Sequence, residues 1–255
     1  MKILRFLEDQ KERWGIFKND SVMEIIWEDE VPGDYSFSGK EFSLDNIKLL
    51  SPCAPTKVIC IGLNYRSHAE EFQFKLPAEP IIFLKPSTAV IGTGESIYLP
   101  AQSQRVDYEA EFAVVIGKKA RHVSAAQAYK YIWGYTCAND VTARDLQPQD
   151  GQWTYSKSFD TFSPIGPWIE TEIEDPYQLE VVGLLNGVEV QRGQISDLIF
   201  NIEELIEYIS GCMTLLPGDV IMTGTPAGIG QLNEGDIFTV NIDQIGKLQN
   251  SAASE

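Results

Sequence analysis

The sequence predicts a mixed, β-rich α+β protein, a roll or distorted barrel with few helices. Most apolar runs are short and end at Gly, Pro or Asn-Gly, only two segments carry full helix signals, and no strand-helix-strand alternation runs along the chain. From the N-terminus, Met1 to Phe6, Trp14 to Phe17 and Ser21 to Trp27 read as strands, the last two joined by the turn Lys18-Asn19-Asp20. The prolines of Leu50-Ser51-Pro52-Cys53-Ala54-Pro55 interrupt helix and strand alike. They mark a linker, so residues 1–55 are expected to form a small N-terminal β segment and 56–255 a larger domain. In the latter, Val58-Ile59-Cys60-Ile61 and the apolar-aromatic run Tyr131 to Asn139 read as strands, and Val181 to Leu185 and Val188 to Gln191 flank the hairpin turn Asn186-Gly187. Ser124 is placed to cap a helix over Ala125 to Tyr131, and Asn201 to cap one over Ile202 to Ile209, with Gly211 just past its end. No repeats or low-complexity segments interrupt this pattern.

With 255 residues and 44% hydrophobic content the chain can bury a large core, and no apolar run reaches the ~18 to 20 residues that cross a bilayer. Charges break up the apolar residues of Met1 to Asp9, so a signal peptide is not expected and a cytoplasmic location is. Cys53, Cys60, Cys137 and Cys212 form no close pair and fit reduced thiols. A formal net charge of -17 argues against nucleic-acid partners.

The strongest chemical signal is Asp107-Tyr108-Glu109-Ala110-Glu111, where alternate positions of a strand put three carboxylates on one face. An exposed polar strand face gives the same alternation. Asp140 weighs against that reading, because it ends a run expected to be buried, and buried acids need a cation or basic side chains among them. Carboxylate oxygens without nearby Cys or His suit Mg2+ or Mn2+, and also Ca2+, better than zinc.

After the Val58 strand, His68 and Glu71 lie at i and i+3 of a short helix or loop, the spacing at which a carboxylate orients an imidazole. A surface helix with an incidental His has the same spacing. His122, the other of the two histidines, sits in a charged loop and reads as solvated. Lys157 is flanked by aromatics, which suits a buried stem with an inward ammonium or a snorkelling surface lysine. Arg144 and Gln147, just beyond Asp140, are in reach of a substrate carboxylate. Met222 to Gly230 offers backbone N–H groups and the Thr225 hydroxyl, but lacks the lysine of a phosphate-binding loop. Neither Gly-x-Ser-x-Gly nor a plausible Cys-His pair is present, which argues against ordinary serine or cysteine hydrolases.

Six motifs in order resemble the fumarylacetoacetate hydrolase family: Gly62-Leu63-Asn64-Tyr65 with His68, Phe83-Leu84-Lys85-Pro86, Asp107 to Glu111, Asn139 to Asp145, Lys157-Ser158-Phe159-Asp160 and Met222 to Pro226. The resemblance spans roughly Lys57 to Asn250 as a single module. It implies a β-roll core with a mobile lid around the histidine segment, a homodimer and usually Mg2+. Residue by residue, it makes Glu109, Glu111 and Asp140 the metal ligands, His68 and Glu71 the dyad that activates water, and Lys157 the oxyanion stabiliser. Tyr65, Arg144, Gln147 and Thr225 fall at substrate-contact positions. The implied reaction is hydrolysis of a carbon-carbon bond in a 2,4-diketo acid such as an acylpyruvate, with a pyruvate enolate as leaving carbanion. Isomerisation, tautomerisation or decarboxylation of 2-oxo or 2-hydroxydienoate diacids is the alternative, and a non-catalytic module cross-linked by a cation is a distant third.

Overall fold

The computed structural model describes residues 1–71, 75–149 and 151–255. Strands dominate, as expected, and they form three sheets whose end strands pair on one side only, so the sheets are open and the barrel expectation is corrected. The main sheet is 12-stranded and runs Tyr35–Ser43, Ser21–Trp27, Lys11–Lys18, Lys2–Glu8, Ser163–Glu170, Ile132–Asn139, Ala110–Ile116, Val220–Met222, Val58–Gly62, Ile81–Lys85, with two short strands attached. A 5-stranded sheet holds the Glu180–Leu185 and Val188–Gln194 hairpin, and a 3-stranded one joins Thr142–Ala143, Val106–Tyr108 and Gly230–Gln231.

Local chemistry explains the turns. Asn19 and Asp20 (φ 53° and 61°), like Asn186 and Gly187 (52° and 81°), take the left-handed conformation that a two-residue hairpin turn requires. The N-terminal strands extend the main sheet, because Ile3 pairs with Ile169.

The centre of the main sheet is buried on both faces, which is why Ala113-Val114-Val115-Ile116 shows no polar alternation. Phe112, Val114 and Ile116 join Ile59, Ile61 and Ile221 in one apolar cluster, while Ala113 and Val115 join Val58, Cys60, Val220 and Met222 in another.

Asn201 caps Ile202–Cys212 in full: its side chain accepts the Glu204 N–H at 2.9 Å and the Glu204 carboxylate accepts the Asn201 N–H at 2.9 Å. Gly211 lies inside this helix instead of beyond it. The terminal carbonyls of Ser210 and Gly211 instead accept Arg121 Nη1, each at 2.6 Å, so no left-handed glycine is needed to end the helix. Ala125–Tyr131 is a 3-10 helix, and the Ser124 side chain makes no capping bond. All four cysteines are free. Among the described residues, no helix is long and apolar enough to cross a membrane.

Candidate active site

Register builds the site. Ala110 pairs with Asn139, so Glu109 and Glu111 flank a position opposite the end of the strand that delivers Asp140. Met222 pairs with both Ala113 and Cys60, which brings Thr223-Gly224-Thr225 and Ile61-Gly62 to the same end of the sheet. One carboxylate oxygen from each of Glu109, Glu111 and Asp140 lies within 4.8 Å of the others, and all three residues are buried.

Asp107 does not join them. The strand breaks at Glu109: Val106–Tyr108 belongs to the 3-stranded sheet and Ala110–Ile116 to the main one, with the Ala110 N–H donated to Gln191 Oε1 at 2.9 Å. Asp107 is held between Arg105 Nε and Arg144 Nε, both at 2.9 Å, so the single carboxylate face expected for 107, 109 and 111 is corrected.

Two buried lysines offset the acids. Lys157, which ends the short helix Thr154–Lys157, donates to Glu109 Oε2 at 2.9 Å and Asp140 Oδ2 at 2.7 Å. Lys85 donates to Asp140 Oδ1 at 2.5 Å. Arg144 adds a contact to Glu109 Oε1 and one to Gln147 Oε1 at 2.5 Å.

The electrostatics are uneven. Burial pushes the Glu111 carboxyl well above its ordinary range and Asp140 and Glu109 push it further, opposed by the Gly224 N–H that it accepts at 2.6 Å. Burial also opposes ionisation of Glu109, but Lys157 and Arg144 outweigh it and hold that carboxyl far below its usual range. The cluster is therefore short of positive charge at Glu111. A hard divalent cation suits that deficit, since three convergent carboxylate oxygens are the donor type such ions take.

His68 is buried in the helix Arg66–Glu71, with Nδ1 3.4 Å from Glu71 Oε2. Burial lowers its pKa below the ordinary imidazole value against the pull of Glu109 and Glu71, which favours the neutral, basic form. Glu71 also accepts the N–H of Gly228, at 3.2 and 3.3 Å.

These groups border one cavity of about 490 Å3, whose wall includes the acid triad, His68, Arg144, Gln147, Lys157 and Thr225 together with apolar Ile61, Phe83 and Trp153. The Thr225 hydroxyl donates to Ala110 O and accepts from Gln191 Nε2, each at 2.9 Å. Tyr65 is fully buried and is not part of the cavity wall. Lys85 and Gln191 carry no role in the sequence reading. The available signal for Lys85 was period-two alternation, since Phe83 and Lys85 share the buried face of their strand while Leu84 is exposed.

A family model described as Fumarylacetoacetate (FAA) hydrolase C-terminal matches residues 57–252, which include the whole cavity wall. The chain belongs to the fumarylacetoacetate hydrolase family. A second model, Rv2993c-like, N-terminal, matches residues 1–52.

Family members named as isomerase, tautomerase and hydrolase resemble this chain. The crystal structure of 5-carboxymethyl-2-hydroxymuconate delta-isomerase from Mycobacterium smegmatis superposes with a TM-score of 0.92 at 40% identity, covering 100% of both chains. The mitochondrial oxaloacetate tautomerase Fahd2a of Rattus norvegicus is 43% identical over 203 residues, 78% of this chain and 65% of the relative. Maleylpyruvate hydrolase from Sphingobium sp. SYK-6, solved in complex with manganese(II) and pyruvate, superposes with a TM-score of 0.82 at 29% identity, covering 100% of this chain and 99% of that one. This fumarylacetoacetate hydrolase family chain thus sits in a family of enzymes that includes hydrolases and isomerases.

Proposed function

We propose that the chain is a divalent-metal-dependent enzyme that interconverts the enol and keto forms of a small 2-oxo acid, oxaloacetate or a close analogue. One observation carries the reading: a carboxylate-oriented imidazole, His68, borders the same cavity as a buried cationic donor, Lys157, and a convergent carboxylate triad. Glu109, Glu111 and Asp140 would hold the ion, with Mg2+ or Mn2+ favoured by the donor set. When bound, it supplies Lewis-acid polarisation of a substrate carbonyl and carboxylate.

The protein groups do the rest. In the enol-to-keto direction a proton leaves the C2 hydroxyl and one arrives at C3; His68 exchanges the proton through Nε2 while Glu71 orients Nδ1. Lys157, which lines the cavity, would offset negative charge developing on the C2 oxygen. Arg144, with Gln147 fixed beside it, suits the substrate carboxylate. The same parts serve hydrolysis of a 2,4-diketo acid: His68 would activate water, the C3–C4 bond would break and its electron pair would leave as the enolate of pyruvate. Tautomerisation is preferred because the relatives at 40% identity or more quoted above are named tautomerase and isomerase, while the hydrolase stands at 29%.

The test follows enol-oxaloacetate and acetylpyruvate separately by ultraviolet absorbance in saturating Mg2+, with product analysis. Faster loss of enol without release of pyruvate, acetate or CO2 is the expected result. Acetate plus pyruvate from acetylpyruvate would establish hydrolysis instead, pyruvate plus CO2 from oxaloacetate would establish decarboxylation, and no reaction with either compound would overturn both readings.

A further inference from the structure

Each triad carboxylate has an oxygen held by a donor built into the fold, and in Glu109 and Asp140 Lys157 takes the second oxygen as well. Glu109 Oε1 takes Arg144 Nη2 and, at 3.2 Å, the Thr142 hydroxyl; Glu111 Oε2 takes the Gly224 N–H at 2.6 Å; Asp140 Oδ1 takes Lys85 Nζ at 2.5 Å. Lys85 differs from the other donors. It is a buried cation, 1% exposed, on the strand Ile81–Lys85, and its three ammonium protons meet three acceptors: Asp140 Oδ1, Val141 O at 3.0 Å and Phe162 O at 2.5 Å. No proton remains for a substrate, and Lys85 is not part of the cavity wall. Of its three partners, only Asp140 belongs to the triad. The opposite oxygen, Oδ2, accepts Lys157 Nζ at 2.7 Å, the ammonium that also reaches Glu109 Oε2.

We propose that Lys85 sets the ion preference of this site by confining Asp140 to one ligating oxygen. The inference rests on the triad holding a cation, as proposed above. An ammonium at Oδ1 takes up one of that oxygen's lone pairs and repels a second cation, which disfavours chelation through both Asp140 oxygens; an ion at Oδ2 would take the place of Lys157, which unlike Lys85 lines the cavity. Single-oxygen carboxylates suit the six-coordinate geometry of Mg2+, whereas Ca2+ takes six to eight oxygens and readily uses two-oxygen carboxylates. Lys85 thus acts as a positioning residue that favours the smaller ion.

The test titrates chelated protein with Mg2+ and, separately, Ca2+ by calorimetry, for the parent chain, Lys85→Met and the milder Lys85→Gln. Partners behind metal ligands typically change metal affinity about 10- to 100-fold. In both variants the ratio of Ca2+ to Mg2+ affinity should rise by about tenfold or more, because Asp140 gains its second oxygen. A merely structural role would weaken binding of both ions together and leave the ratio unchanged, which would overturn the proposal. A crystal structure of the parent protein soaked in Mn2+ decides the matter even if neither variant folds: Asp140 bound through one oxygen is expected, and both oxygens at bonding distance would refute it. Failure of the parent to bind either ion would instead remove the metal reading on which the inference rests.

Discussion

Glu111→Gln isolates the charge deficit of the site. The substitution removes one buried negative charge, yet a glutamine carbonyl can still accept the Gly224 N–H that Glu111 Oε2 accepts at 2.6 Å. A carboxyl whose folded pKa is raised contributes stability that is complete below its ordinary value and is lost as pH rises through the folded one. Burial and the neighbouring Asp140 and Glu109 raise Glu111, so chelated parent protein should lose stability relative to the chelated variant as pH rises above about 4.5. Taking the difference cancels the opposite contribution of His68, which both proteins share. A bound ion would act in the other direction: at 100 times its Kd it would stabilise the parent by about 2.7 kcal/mol. For a chain of this size, at roughly 2–4 °C per kcal/mol, that is a rise in Tm of roughly 5–10 °C. The variant should show little of it. Differential scanning calorimetry at pH 5, 6.5 and 8, with chelator or Mg2+, measures both effects. An undiminished Mg2+ shift in the variant, or a chelated variant less stable than chelated parent at pH 8, would refute the reasoning.

Four further outcomes follow from the geometry. His68→Ala should lower turnover by about 10²- to 10⁴-fold while Mg2+ affinity stays nearly unchanged; unchanged turnover would remove the dyad from the mechanism. Lys157→Met should cost about 10²- to 10³-fold in kcat, and a loss confined to KM would contradict its role at the developing oxyanion. Because burial holds His68 below its ordinary value, the acid limb of kcat/KM should lie below pH ~6.5, and Glu71→Gln, which removes an opposing carboxylate, should move it lower still; an upward shift would sink the assignment. Gly228 has φ +98° and a Cβ there would lie 2.1 Å from Val190 O, so Gly228→Ala should destabilise by about 1–3 kcal/mol and lower kcat/KM by loosening the Glu71 contact; calorimetry and kinetics check both.

Features encoded within a few residues were legible in the sequence. The Asn186-Gly187 turn, the Asn201 cap, the i,i+3 spacing of His68 and Glu71, and Asp140 at the end of an apolar run each depend on neighbours close in the chain. Features that depend on distant partners were not. The parallel pairing of Val58–Gly62 with Val220–Met222 closes the site but has no local signature. Gln191 comes from a hairpin remote in sequence to accept the Ala110 N–H where the strand breaks, so alternation alone put Asp107 with the wrong acids. Lys85 reads as an ordinary strand-end lysine until Asp140, Val141 and Phe162 converge on it. Tight winding of Ala125–Tyr131 likewise escaped a pattern that 3-10 and α-helices share.

The central claim is that Glu109, Glu111 and Asp140 hold the ion on which conversion of a 2-oxo acid depends. Its most direct measurement titrates Mg2+ into chelated protein while following ion occupancy by calorimetry and enol-oxaloacetate conversion by absorbance in parallel. Turnover should rise in proportion to occupancy, saturate at one ion per chain, and vanish together with binding in Glu109→Gln. Full turnover in the chelated protein, or tight Mg2+ binding retained by Glu109→Gln, would contradict the account.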